Sequence, residues 1–179
     1  MSNPYSINLL ALLALVGIAV FTDLRERRIP NWLTVSGVLV GLALAAIETA
    51  GFPTAALLGV VTALAIAFPL FALGGIGAGD VKLLAAVGAF VGPGGLLPVV
   101  IYGGIAGGVL ALGSAIRRGV LVPVLMSSLG LLLHFITLGR HGEPPTLATP
   151  GAHSVPYGVA IAVGAVAAWF FPLYVGGSL

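Results

Sequence analysis

Cysteine is absent from this 179-residue chain. That excludes disulfides, thiolate metal sites and a cysteine nucleophile, and leaves zinc only histidine and carboxylate as ligands. Charge is almost as scarce. Lys+Arg number 7 and Asp+Glu 5, so 7% of residues are charged against 59% hydrophobic, and mean hydropathy is +1.19. A soluble domain could not cover so much apolar surface with so few charges, and a multi-pass membrane protein is expected. The net charge of +2 comes from a few arginines in short loops rather than from a basic face, so nucleic acid is not an expected partner. Met1-Ser2-Asn3-Pro4 carries no basic side chain, and no small-residue cleavage site follows it, so the first apolar run is expected to be a retained span. There is no internal repeat and no linker, and residues 1–179 read as a single domain.

A helix needs about 20 apolar residues to cross the hydrocarbon. On that template, spans are expected from Tyr5 to Thr22, Asn31 to Ala50, Thr54 to Leu73, Val81 to Val91 with an extension to Gly95, Leu96 to Ile116, and Val155 to Tyr174. The fold class is therefore all-α, a polytopic bundle of about six transmembrane helices. Val120 to Leu138 is also apolar, but Arg117-Arg118 and Arg140-His141 bracket it. A crossing there would send one basic cluster outward, so residues 120–138 are expected to be interfacial or re-entrant, followed by a cytoplasmic loop over 139–153. Arg25, Arg27 and Arg28 put the end of the first span in the cytoplasm and the N-terminus outside. Counting spans from there returns residue 80 to the side of residue 23. Glycines four apart, Gly88 and Gly92, Gly103 and Gly107, Gly104 and Gly108, are expected where helices approach closely.

Against this background two acids stand out, Asp23 and Asp80, each where a hydrophobic span meets a polar turn. Asp23 opens Asp23-Leu24-Arg25-Glu26-Arg27-Arg28-Ile29-Pro30-Asn31, and Asp80 lies in Gly77-Ala78-Gly79-Asp80-Val81-Lys82. Two adjacent carboxyls sharing one proton can activate water and protonate an amide carbonyl, because like charges so close do not both ionise. Plainer readings stand beside this one. Asp80 suits a helix N-cap, Asp23 a flank wetted by the interface, and Lys82 either a contact to a substrate carbonyl or a chain reaching to the interface. Glu48 falls at the far end of the second span. His134, His141 and His153 lack metalloprotease spacing, and Ser114, Ser127 and Ser128 lack a nucleophile elbow. A small cation- or proton-coupled transporter using the same acids remains open, though it predicts carboxylates at mid-membrane. A purely structural assembly subunit would leave both acids dispensable.

The Asp23–Arg25–Ile29-Pro30-Asn31 pattern, Gly77-Ala78-Gly79-Asp80, and the late Val155-Pro156-Tyr157-Gly158 together resemble the bacterial type IV prepilin peptidases, the GxGD intramembrane aspartyl proteases. The resemblance implies Asp23 and Asp80 as the catalytic pair, Gly77, Ala78 and Gly79 as the turn carrying Asp80, and no metal or cofactor. It implies a pilin precursor as partner, with a short basic leader cut at the cytoplasmic face of the bacterial inner membrane. The chain looks closest to the minimal TadV or CpaA-like members acting on Flp-type pilins, with no separate methyltransferase domain. Pro156, Tyr157 and Gly158 are expected either to pair, as an extended or unwound segment, with the substrate backbone, or simply to start the last helix.

Overall fold

The computed structural model describes residues 4–72, 75–122, 125–126, 129–130 and 157–173, and among them every regular element is helical. α1 is Pro4–Glu26, α2 Asn31–Thr49, α3 Thr54–Ala72, α4 Ala78–Arg118 and α5 Tyr157–Phe170. A helix satisfies its backbone polar groups within one segment, which suits runs of leucine, alanine and valine that have no water to turn to. The helix ends follow local chemistry. Pro30 caps α2 in an extended conformation (φ −64°, ψ 140°) and lacks only an N–H the helix could not have bonded. Ala50 closes the same helix in the left-handed region at φ 48°, and Gly119 closes α4 at φ 68°.

Several boundaries differ from expectation. α1 runs on to Glu26 rather than stopping at Thr22, because the helix closes only where Arg27 turns left-handed (φ 52°) and donates its N–H to the Asp23 carbonyl at 2.9 Å. Asp23 therefore lies inside the last turn of α1. α5 ends at Phe170, short of the expected Tyr174, since Pro172 cannot continue it.

The expected fourth and fifth spans form one element of 41 residues, α4, broken only at Gly92 (φ 66°, ψ −179°), a conformation open to glycine and followed by Pro93. As a straight helix α4 would be about 60 Å long, twice the hydrocarbon thickness. It is not straight. Asp80 and Leu84 from its first arm (78–91) line the same cavity as Gly103 and Gly107 from its second (93–118), so the arms fold back on each other at Gly92. Among the described residues four helices, α1 to α4, are long and apolar enough to cross a bilayer, and α5 is a shorter apolar helix. The all-helical bundle expected from the sequence is thus present among the described residues, with the expected fourth and fifth spans as the two arms of α4. Of the 120–138 segment, Val120 follows the end of α4 and residues 121–122, 125–126 and 129–130 are helical, while 123–124, 127–128 and 131–138, the loop 139–153 and Pro156 lie outside the described residues.

Helices in lipid are held by close packing rather than by hiding apolar surface from water, and small residues mark where they touch. α3 meets the first arm of α4 where Gly59 and Gly88 present bare backbone to each other, and a Cβ on either would overlap the other's carbonyl group. α2 rests on the same arm through Gly41, where an added Cβ would stand 2.7 Å from the Ala89 side chain. α5 crosses the second arm with Gly164 against the Val99 carbonyl and Gly103. The contacts at Gly59, Gly88 and Gly164 are backbone to backbone, so a methyl group there has nowhere to go. Gly59→Ala is expected to destabilise the protein by about 1–3 kcal/mol. Gly17, on α1 with open space where its Cβ would be, is expected to gain up to about 1 kcal/mol as alanine from helix propensity. Denaturant unfolding in detergent micelles reads both signs.

Candidate functional site

Three helix ends converge at one end of the bundle: the last turn of α1, the first turn of α4 and the first turn of α5. Asp23 sits on the first and is buried, only 8% exposed, so it is not a flank wetted by the interface. Its Oδ2 accepts the backbone N–H of Gly158 at 3.0 Å, a bond joining residues at opposite ends of the sequence. The Val159 N–H is also directed at this carboxylate, and the Arg27 guanidinium one turn on adds its positive field.

Asp80 is not the cap of α4. Gly77 is the cap, in an extended conformation (φ −78°, ψ 153°), and Asp80 stands three residues on with its Oδ2 accepting the Gly77 N–H at 3.1 Å. This is a capping box in which the carboxylate reaches back over the turn. The bond engages one of the two carboxylate oxygens. Asp80 lies within the field of the Asp23 carboxylate, and Tyr157 within the field of Asp80.

The turn between α1 and α2 completes the floor. Ile29 packs against Gly79, where an added Cβ would meet the Ile29 Cβ at 3.3 Å. Asn31 Oδ1 accepts from Lys82 Nζ at 2.9 Å, so Lys82 ties α4 to α2 rather than extending alone to the interface. Glu48 is at the opposite end of the bundle, bonded by Asn8 of α1, as the span count placed it. Tyr157 and Gly158 are helical, not extended, and Pro156 before them lies outside the described residues.

A cavity of about 300 Å3 lies between α3, the two arms of α4 and α5. Asp80 and Tyr157 are its ionisable lining residues, and the rest of the wall is apolar or glycine. Asp23 is not in the wall; it stands behind the start of α5. The glycine pairs divide here. All four line the cavity, but Gly103 and Gly107 also face Ala160 of α5, as expected of packing positions, whereas Gly104 and Gly108 have open space where a Cβ would be.

Residues 10–112 match the model of the type IV leader peptidase family, more than half of the chain. The chain belongs to that family. No curated protein and no solved structure matches it. Family and apolar helices together make it an integral membrane peptidase. The matched stretch holds Asp23, the Ile29-Pro30-Asn31 turn and Gly77 to Lys82, while Tyr157 and Gly158 lie beyond it.

In this leader peptidase the cavity role of Gly104 and Gly108 was not legible in the sequence. Both glycine pairs have the same four-residue spacing, and only the position of α5 decides which is covered. The Gly158 contact to Asp23 was equally hidden, since a backbone donor leaves no residue-type signal beyond the glycine itself. The capping geometry makes a prediction about stability. Asp80→Asn keeps an oxygen able to accept the Gly77 N–H and should unfold within about 0.5 kcal/mol of the unaltered protein, whereas Asp80→Ala should lose about 0.5–2 kcal/mol. Thermal unfolding in detergent measures the difference.

Proposed function

We propose that the protein is an aspartyl endopeptidase that removes the basic leader from a type IV pilin precursor of the small Flp type. The observation that carries this reading is that Asp23, bonded by the Gly158 amide, and Asp80, which lines an apolar cavity together with the adjoining Tyr157, come to one end of the bundle in a member of the leader peptidase family. In this reading the pair holds one proton. The ionised acid takes a proton from a water molecule as its oxygen attacks the scissile carbonyl, and the protonated acid donates to the carbonyl oxygen, giving a neutral gem-diol. Collapse of that intermediate returns a proton to the acid and passes another to the leaving nitrogen, so the dyad ends with the proton count it started with. The two acids titrate as a unit.

Gly77, Ala78 and Gly79 form the turn that holds Asp80, and Tyr157 supplies a hydroxyl on the cavity wall able to orient the scissile segment. That segment must be unwound, because a helix hides its carbonyls in its own hydrogen bonds. A half-open space beside Asp80, apolar apart from two polar side chains, would receive such a segment. Six helical segments counting both arms of α4, with Arg25, Arg27, Arg28, Arg117 and Arg118 near one end, fit an orientation in which the site opens at the cytoplasmic face of the bacterial inner membrane and the N-terminus is outside. The family match favours peptide hydrolysis over the cation-coupled transporter, and both acids stand at the end of the bundle rather than its middle.

Co-expression with a Flp-type pilin precursor and a gel-shift readout of leader removal tests the reading. Asp23→Asn and Asp80→Asn are each expected to lower the cleavage rate by about a hundredfold or more, the usual scale of a lost acid or base, while inserting normally. Full cleavage by either well-inserted variant sinks the dyad. Gly108→Leu, which fills open space in the cavity, is expected to raise KM more than it lowers kcat; an unchanged KM would place the scissile segment elsewhere.

A further inference from the structure

We propose that Gly158 is a positioning residue for Asp23: the bare backbone at the start of α5 both holds the Asp23 carboxylate by its amide and leaves the space that the carboxylate occupies. The inference rests on the reading of Asp23 as one of the two acids of the dyad. Its basis is the contact itself. The Gly158 N–H donates to Asp23 Oδ2 at 3.0 Å, and an alanine Cβ at position 158 would lie 2.7 Å from Oδ2, 3.1 Å from Cγ and 3.2 Å from Cβ of the same aspartate. No other residue comes closer to that point.

The identity of the colliding atoms separates this glycine from the packing glycines. At Gly164, on the same helix, an added methyl meets the Val99 carbonyl oxygen and the Gly103 backbone. Backbone atoms cannot yield without parting two helices, so Gly164→Ala acts on the fold. At Gly158 the two nearest atoms, Oδ2 and Cγ of Asp23, move when that short side chain turns about its two bonds, and the third, its Cβ at 3.2 Å, has only to give by a few tenths of an ångström. Gly158→Ala therefore shifts the Asp23 carboxylate and spares the helix contacts. A carboxylate moved by even about 1 Å from the attacking water costs on the order of a hundredfold in rate. Substrate binding is untouched, because Gly158 acts on the acid and not on the cavity wall, whose residues at this end are Asp80 and Tyr157.

The test is steady-state cleavage of the Flp-type precursor by Gly158→Ala, with Asp23→Asn and Gly164→Ala alongside and thermal unfolding of each in detergent. Gly158→Ala is expected to lower kcat by about a hundredfold with KM within about twofold and Tm within about 3 °C, and Gly164→Ala to lower Tm first. Should Gly158→Ala fail to accumulate, the double variant Asp23→Ala/Gly158→Ala, which removes the two nearest atoms, Oδ2 and Cγ, is expected to accumulate. Wild-type kcat in Gly158→Ala, a rise in KM instead of a fall in kcat, or a double variant as unstable as the single one each overturns the proposal. Cleavage by Asp23→Asn at the wild-type rate would instead overturn the dyad on which it rests.

Discussion

Backbone must touch backbone for this bundle to hold. Lipid tails are as apolar as leucine, so helices gain nothing by burying leucine against one another; they gain from contacts close enough for dispersion to add up over many atoms. Gly59 against Gly88 and Gly164 against Val99 and Gly103 supply those contacts, and both involve α4. The first sets α3 against one arm of α4, the second sets α5 against the other, and Gly92 lets the two arms lie side by side. Every distance at the site descends from these crossings.

With the helices so placed, the polar groups of the site are satisfied largely by backbone. Asp23 is bonded by the amide of Gly158, and Asp80 by the amide of Gly77. A charge in a low-dielectric setting is costly unless donors are fixed around it, and the first turn of a helix carries amides with no partner of their own. Two such turns, those of α4 and α5, face the two acids. Among the described residues no buried side-chain polar atom lacks a hydrogen-bond partner. The arrangement is stable with both acids present and has one unlike neighbour, the apolar cavity, on the Asp80 side.

That asymmetry bears on chemistry. Asp80 lines the cavity whereas Asp23 is bonded by the start of α5 and is not among the lining residues, so in the proposed dyad the two acids would approach a substrate from different directions. Lys82 is bonded to Asn31 at the floor and outside the cavity wall. The open flank at Gly104 and Gly108 is a space that larger side chains would close, at a depth along the second arm that matches Asp80 on the first.

Much of this was readable in the chain. Scarce charge and long apolar runs fix a helical membrane protein, because only a helix satisfies its own backbone over such stretches. Pro30 and the glycines before Asp80 announce turns, and acids are so few that Asp23 and Asp80 single themselves out. The sequence also implied that both lie at one end of the bundle, since span counting needs only lengths. What it could not contain was contact. That α1 continues past Asp23, that α4 reverses at a single residue, that Gly103 is covered while Gly104 is open, and that Gly158 touches Asp23 all depend on how helices distant in sequence cross. Crossings are set by the summed fit of many small contacts, each worth a fraction of a kcal/mol, and no single residue type carries that information; local pattern determined the helices and the acids, and packing alone decided which atoms face them.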